Sequence, residues 1–305
     1  MPARPEVNTV TVRVPAKINL HLSVGRLRDD GFHDLTTVFQ AIGLYDEVTV
    51  TRTEELTIRV EGDSAELVPT GRTNLAARAV AMLAEEAGRS PELDVLIRKG
   101  IPVAGGCAGG SADAAAALVA CDTLWGLGLS RQELAEMAIA IGSDVPFCLY
   151  GGTALGTGRG EQLTPVLGHG RYWWVLALID GGLSTPEVYA ELDRRRDSGP
   201  VAMATDPAEV LAALRLGSSP ALSRALSNDL QASALALRPE LAAVLERGEE
   251  LGSLAGLVSG SGPTMAFLVK NEAQATTVAT GLAGHCRAVR VAEGPVPGAR
   301  VVRAA

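Results

Sequence analysis

The chain has 305 residues, of which 47% are hydrophobic and 20% charged, and its net charge is −8. This length and apolar content suit one large or two ordinary globular domains and exclude a disordered or fibrous chain. The acidic balance argues against nucleic acid or an anionic membrane as the main partner, because both favour basic surfaces.

The cysteines and the apolar runs indicate the cellular compartment of the protein. Four cysteines are scattered without CxxC spacing, so we expect buried or free thiols in a reducing compartment. The first ten residues have no apolar signal core, and no apolar run approaches the length of about 18 residues that a membrane helix needs. The sequence therefore predicts a cytoplasmic protein without a membrane partner.

Strands are predicted for the first part of the chain. Alternating apolar and polar residues predict one strand at 10–14, stopped by Pro15, and a second at 18–24. Residues 35–44 and 47–60 predict two or three more strands of an antiparallel sheet. The second strand places Lys17, Asn19 and His21 on one face. This face is either the polar wall of a site or an ordinary solvent-facing surface.

An aromatic residue and a histidine follow the Asp-Asp-Gly turn at 29–31. On a loop, Phe32 and His33 can stack against a flat ring and hydrogen-bond its edge. The alternative places Phe32 beneath a hairpin with His33 exposed.

A loop with four glycines lies at 105–110. The apolar run before it, at 93–99, predicts a strand. The Ala-rich run after it predicts a helix that begins with Ser111 as its N-cap and extends to about Leu124. Glycines let backbone N–H groups turn inward, and a helix N-terminus favours anions, so the loop predicts a phosphate site. Ser111-Ala112 stand where a Walker A loop needs Lys-Ser/Thr, and no GxGxxG fits. A plain strand-to-helix connection is the alternative, although it needs fewer glycines.

Capping signals predict the next helices. Asn74 opens a helix through Ala87, and Ser130 with Glu133 forms a capping box that opens a helix ending near Ile141. Asp144 follows at a break before Pro146, either as a site carboxylate or in an Asx turn.

The second half mixes helices and strands. We expect a glycine-dense strand and turn at 151–161, strands at 172–179 and 287–291, a helix opened by Ser184, short helices and loops at 194–227, and helices at 228–237, at 239–251 and from Asn271. A strand, a Gly-Ser-Gly-Pro turn at 260–263 and another strand occupy 256–268. Such a turn permits close approach of another backbone, for example the first glycine loop or its ligand.

Three separated stretches, PAKINL, PVAGGCAGGSADAAAAL and GLVSGSGPTMAF, resemble in order the three motifs of the GHMP kinases. Further stretches, DDGFHDL, IGSDVPF, GTGRGE and STPEVY, are similar to the branch that phosphorylates a cytidyl-diphosphate substrate, and the resemblance covers nearly the whole chain. It implies a two-domain α+β fold with the active site in the cleft between an ATP-binding domain at 1–171 and a C-terminal domain at 172–305 that contributes to the substrate site.

The resemblance also implies the reaction. ATP would phosphorylate the 2-hydroxyl of 4-diphosphocytidyl-2-C-methyl-D-erythritol, with Mg²⁺, in isoprenoid precursor biosynthesis, and the enzyme would be a monomer or weak homodimer. Homoserine or mevalonate as substrate, and a non-catalytic nucleotide-binding protein, are the alternatives. The aromatic rings of Phe32 and Tyr189, together with His33, favour a substrate that contains a nucleobase.

Site residues follow from the same resemblance. Asp144 is the expected general base and Lys17 its partner, because an alcohol attacking phosphorus must lose its proton. The expected loop around the ATP phosphates is Pro102, Val103, Ala104, Gly105, Gly106, Cys107, Ala108, Gly109, Gly110, Ser111 and Ala112, with Asn74 near adenine. The expected substrate residues are Asn19, Phe32, His33, Thr185 and Tyr189, with Phe32 and Tyr189 sandwiching cytosine and His33 bonding the base edge. No residue is assigned as a metal ligand, although Ser111 and Asp113 are candidates beside the phosphates.

Overall fold

The structure, a computed structural model, describes residues 7–103, 105–199, 201 and 206–305. The strands are β1 (Thr9–Leu27), β2 (His33–Arg52), β3 (Thr57–Gly62), β4 (Leu93–Lys99), β5 (Thr153–Thr157), β6 (Gln162–Pro165), β7 (Tyr172–Leu178), β8 (Ser227–Asn228), β9 (Ala255–Val258), β10 (Met265–Val269), β11 (Ala288–Gly294) and β12 (Arg300–Ala304). The helices are α1 (Leu75–Glu86), α2 (Gly109–Trp125), α3 (Arg131–Ala138), α4 (Val145–Tyr150), α5 (Thr185–Ser198), α6 (Pro207–Leu216), α7 (Ser219–Ala225), α8 (Gln231–Leu237), α9 (Glu240–Glu250) and α10 (Glu272–Leu282).

Two sheets organise the chain. The first has the order β12-β1-β2-β4-β3, with β5 paired to β2 and β6, and β8 paired to β1. The second has the order β11-β7-β10-β9 and begins at Tyr172, whereas β12 returns to the first sheet. None of the described helices is both long enough and apolar enough to cross a membrane.

Helix α2 is the centre of the first domain. Its Ala-rich sequence is buried on all sides, where it packs against α1, α4, β1 and β2. Small side chains let these elements approach closely, and the packing fixes where the first turn of α2 stands. That turn follows the glycine loop, so the core of the domain sets the position of the loop.

The long strands differ from the prediction. Pro15 does not end a strand, because β1 runs through it with a shift in register between Pro15 and Ala16. An irregularity of this kind accommodates a residue that has no N–H to donate to the ladder. The break expected near residue 45 is also absent, since β2 runs from His33 to Arg52.

The ends of several elements also differ. Strands β3 and β4 pair in parallel, not antiparallel as expected for this part of the sheet. Helix α8 begins at Gln231, after a short strand β8, and not at residue 228. The predicted helices opened by Asn74 and by the Ser130–Glu133 capping box are confirmed at their starts.

Candidate active site

A cleft lies where the glycine loop, β1 and the turn at 259–262 meet. It holds a cavity of about 390 Å³ lined by Lys17, Asn19, Thr37, Phe39, Pro102, Gly105, Gly106, Ala108, Gly109, Gly110, Ser143, Asp144, Arg159, Thr185, Tyr189, Gly260, Ser261 and Gly262, with apolar residues from β1, β2 and the neighbouring loops. A second cavity of about 750 Å³ contains Phe32, His33 and Asp193 in its wall. The two cavities adjoin, because five residues line both: Leu35, Ser143, Arg159, Thr185 and Tyr189.

The glycine loop packs against the turn at 259–262, which we call the second glycine turn. Gly106 has φ +74°, and a Cβ at this position would stand 2.0 Å from the carbonyl oxygen of Ser259. The Ser259 hydroxyl donates a hydrogen bond of 3.2 Å to the Gly106 carbonyl. The two turns therefore lock together, as the small residues allow, and the loop presents glycine backbone to the first cavity.

The helix after the loop begins earlier than predicted. The N-cap of α2 is Ala108, in the left-handed region with φ 60°, and not Ser111, which lies in the first turn. The prediction of Ser111 as N-cap is therefore wrong. The helix N-terminus nevertheless points at the cavity lined by Gly109 and Gly110, where N–H groups and the helix dipole favour an anion.

Not every predicted loop residue lines the cavity. Val103, Cys107, Ser111 and Ala112 are absent from its lining, and Ala104 lies outside the described residues. Cys107 is buried, and this burial raises the pKa of its thiol. A thiol of this kind is inert, so Cys107 supports the loop by packing.

Lys17 and Asp144 meet in the first cavity. Lys17 Nζ lies 3.6 Å from Asp144 Oδ2 and donates a hydrogen bond of 2.8 Å to Asn19 Oδ1. Asn19 Nδ2 in turn donates to Thr37 Oγ1 at 2.8 Å, and Thr37 donates to a backbone carbonyl of β1 at 2.7 Å. This chain of hydrogen bonds across β1 and β2 fixes the direction of the nearly buried ammonium.

The Asp144 carboxylate remains available to a ligand. It precedes α4 as the N-cap residue, but its side chain makes no capping hydrogen bond to that helix. Its side chain is 30% exposed, compared with 7% for Lys17. The carboxylate can therefore accept a proton from a group bound in the cavity.

Aromatic rings surround the second cavity. The rings of His33 and Tyr189 lie 5.1 Å apart at 35°, and His33 Nε2 lies 3.0 Å from Asp193 Oδ1. Phe32 is 49% exposed at the mouth, beneath the guanidinium of Arg159. Burial, with a smaller effect of the Asp144 charge, raises the pKa of Tyr189, so its hydroxyl stays protonated. A flat ring with polar edges fits such a pocket.

Two predicted residues have other partners in the structure. Thr185, at the start of α5, places its hydroxyl 2.8 Å from that of Ser261, and so ties α5 to the second glycine turn. Asn74 caps α1 by accepting from two helix N–H groups, and its amide donates to the Pro69 carbonyl at 2.7 Å. Asn74 lines neither cavity, whereas Thr185 lines both.

A buried charge cluster lies beneath the start of α2. Lys99 Nζ is 2.5 Å from Asp46 Oδ2 and 2.8 Å from Asp113 Oδ2. Burial raises the pKa of Asp113, against the opposing effect of Lys99. Asp113 is 2% exposed and does not line the first cavity, as a metal ligand there would. The described residues contain no group of three or more His, Cys, Asp or Glu that could hold a metal ion.

Sequence reasoning missed five polar residues of the cleft, namely Thr37, Ser143, Arg159, Asp193 and Ser261. Asp193 lies one helical turn after Tyr189 on α5, and this i, i+4 spacing is a signal that places both on one face. Arg159 stands within the GTGRGE stretch, but nothing in its spacing indicates that the loop turns into the cleft.

Comparison with known protein families agrees with this geometry. The GHMP kinases N terminal domain matches residues 74–152, and the GHMP kinases C terminal domain matches residues 210–288. The fold and the glycine loop therefore define the class as a small-molecule kinase of the GHMP type, which uses ATP.

Individual relatives narrow the class. The chain is 56% identical over 295 residues to the 4-diphosphocytidyl-2-C-methyl-D-erythritol kinase of Nocardia farcinica, covering 96% of each chain, and 55% identical to that of Rhodococcus jostii, covering 96% of this chain and 95% of the relative. A crystal structure of 4-(cytidine 5'-diphospho)-2C-methyl-D-erythritol kinase is 33% identical, with a TM-score of 0.76, and covers 92% of this chain and 98% of that one. The chain belongs to this kinase family.

More distant structures show the fold alone. Homoserine kinase from Cytophaga hutchinsonii has a TM-score of 0.78 at 17% identity, covering 99% of this chain and 100% of that one. The family and the two-domain α+β fold predicted from the sequence are thus confirmed. The domain boundary at residue 171 and the roles of the site residues stay predictions.

Proposed function

We propose that this kinase transfers the γ-phosphoryl group of ATP to the 2-hydroxyl of 4-diphosphocytidyl-2-C-methyl-D-erythritol, with Asp144 as general base and Lys17 as its partner. The observation that carries the proposal is the Lys17–Asp144 pair, 3.6 Å apart, between the glycine loop and the aromatic cavity. A phosphoryl donor bound at the glycine loop and an acceptor with its nucleobase in the second cavity would meet at this pair.

The chemistry requires these two groups. The acceptor oxygen attacks the γ-phosphorus, the bond from that phosphorus to the ADP oxygen breaks, and the hydroxyl proton passes to the Asp144 carboxylate. The Lys17 ammonium attracts the negative charge that develops on the acceptor oxygen, and its hydrogen bond to Asn19 holds it in place. The glycine-loop N–H groups hold the phosphates of ATP.

Mg²⁺ would reach this site bound to ATP. The ion is usually held by substrate phosphates, water and one or two protein oxygens, so the absence of a dedicated cluster among the described residues is compatible with it. Ser143 and Asp144 line the first cavity beside the loop and would offer oxygen donors to the ion, whereas the Ser111 hydroxyl lies near Gly142 and outside that lining. When bound, the ion neutralises charge on the phosphates.

The second cavity suits the cytidine part of the substrate. Phe32 and Tyr189 offer faces for stacking, and His33 offers a hydrogen-bonding edge held by Asp193. Asn19 and Thr185 would contact the remainder of the substrate between base and acceptor hydroxyl. Homoserine and mevalonate contain no base, so they would leave this cavity unfilled.

The test is ADP release from ATP and Mg²⁺ with the cytidyl substrate, homoserine and mevalonate in parallel. We expect turnover with the cytidyl compound alone. Turnover of homoserine or mevalonate instead would overturn the substrate assignment, and no turnover with any of the three would favour a nucleotide-binding protein. Size-exclusion chromatography tests the accompanying expectation of a monomer or weak homodimer.

A further inference from the structure

The two cavities adjoin at five residues that line both of them, and we call these residues the shared wall. Any ligand that occupies both cavities must extend along this wall. Of its five residues, Leu35, Ser143, Thr185 and Tyr189 are uncharged, and Arg159 carries the positive charge. Lys17, the other cation of the first cavity, is already engaged with Asn19 and Asp144. The shared wall is therefore a place where a single guanidinium faces the ligand path.

The backbone around Arg159 is fixed by its neighbours. Its own N–H donates to Glu161 Oε2 at 2.6 Å, and the Gly158 carbonyl accepts from the Leu35 N–H at 2.7 Å. Gly158 and Gly160 both have positive φ, which shapes the tight turn that carries Arg159 into the cleft.

The side chain of Arg159, in contrast, keeps its hydrogen-bonding capacity. Within the described part of the chain the guanidinium forms no ion pair, and its Cζ lies 4.7 Å from the centroid of the Phe32 ring. Stacking on an aromatic ring occupies the face of a guanidinium but leaves its N–H groups free. The group is thus arranged to bind an anion within the plane of those N–H groups.

We propose that Arg159 binds the diphosphate bridge of the substrate and so selects acceptors that carry a nucleoside diphosphate. This inference rests on the proposed function, since that substrate would place its base in the second cavity and its acceptor hydroxyl beside Asp144. The parts between them are the ribose and then the diphosphate, and the diphosphate, which is nearer the acceptor hydroxyl, would lie at the shared wall. A guanidinium recognises phosphate oxygens by paired hydrogen bonds, which a lysine reproduces only in part.

The test compares two ligands and four proteins by calorimetry. Cytidine and CDP are titrated into the wild type, Arg159→Met, Arg159→Lys and the control Arg89→Met, which changes an exposed arginine distant from both cavities. We expect the preference of the wild type for CDP over cytidine to fall about 10- to 100-fold in Arg159→Met, as for a lost hydrogen bond to a charged group. Arg159→Lys should retain part of it, and Arg89→Met all of it.

Kinetics separate this inference from the proposed function. In Arg159→Met the KM for the cytidyl substrate should rise by a similar factor, while the KM for ATP stays unchanged. An unchanged preference for CDP would overturn the role of Arg159, even if the wild type phosphorylates the cytidyl substrate as proposed. Failure of the wild type to bind CDP would overturn both.

Discussion

Gly106 of the first glycine loop lies directly against the carbonyl oxygen of Ser259 in the second, so that a methyl group on Gly106 would stand 2.0 Å from that oxygen. The contact joins two turns that are far apart in the sequence. The shape of the glycine loop therefore depends on backbone from both domains.

Replacing Gly106 with Ala should disrupt both the loop and the fold. The left-handed backbone alone costs about 1–2 kcal/mol for a residue with a Cβ, and the clash with Ser259 adds about 1–3 kcal/mol. Urea unfolding measures the loss of stability, and the KM for ATP should rise. Gly88→Ala is the matched control, because Gly88 has φ +57° but open space around its Cβ position. Equal losses in the two variants would contradict the importance of the contact.

The buried cluster beneath α2 leads to a second prediction. Removing the charge in Lys99→Met leaves Asp46 and Asp113 buried without a counter-ion, so the free energy of unfolding should fall by about 3–5 kcal/mol. Although burial lowers the pKa of Lys99, the two carboxylates raise it above 10.5, so this contribution is present at neutral pH and lost only in strongly alkaline solution.

The neighbouring residue of β4 supplies the control. Arg98 pairs with Glu61 at 3.2 Å on the exposed face, so Arg98→Met should cost less than about 1 kcal/mol. Denaturant unfolding of both variants measures the difference. A cost for Lys99→Met no larger than that for Arg98→Met would show that the cluster does not hold the start of α2.

Much of the architecture was accessible from the sequence because local signals agreed with the tertiary structure. The capping box at Ser130, the Asn74 cap and the alternating strands all act within a few residues. The start of α2 was misjudged, since the identity of Ser111 suggested a cap, whereas packing of the glycine loop against Ser259 places Ala108 there.

The features that could not be predicted from the sequence depend on partners that are distant along the chain. The strand β12, which no local pattern indicated, exists because it pairs with β1 at the edge of the first sheet. The aromatic cavity shows the same limit. Phe32, His33 and Tyr189 were predicted as substrate residues from the family resemblance. It gave no reason to place Arg159 over the Phe32 ring, because that contact arises from a separate hairpin.

His21 makes stability depend on pH near neutrality. It is fully buried on β1 with Nδ1 2.9 Å from Ser227 Oγ, and burial lowers its pKa below 6.5, although Asp229 and Asp206 oppose the shift. The unfolded chain then binds more protons than the folded one below pH 6.5, so stability is fully present above that pH and declines as the pH falls towards the folded pKa.

Replacing His21 with Gln should flatten this dependence. Urea midpoints measured from about pH 5 to 8, the range in which histidine titrates, would show a smaller slope for His21→Gln than for the wild type. His285→Gln, at an exposed position, controls for the loss of a histidine elsewhere. A slope as steep as that of the wild type would assign the pH dependence to other groups.

We expect Asp144 to take the proton of the acceptor hydroxyl, and the turnover of Asp144→Asn is the sharpest test of this role. With ATP, Mg²⁺ and the cytidyl substrate, we predict that kcat falls by about 10²–10⁴, the usual cost of losing a positioned general base. Binding of both substrates and the unfolding midpoint should change little, and the exposed Asp197→Asn should keep wild-type turnover. A folded Asp144→Asn variant with near-wild-type kcat would contradict the account.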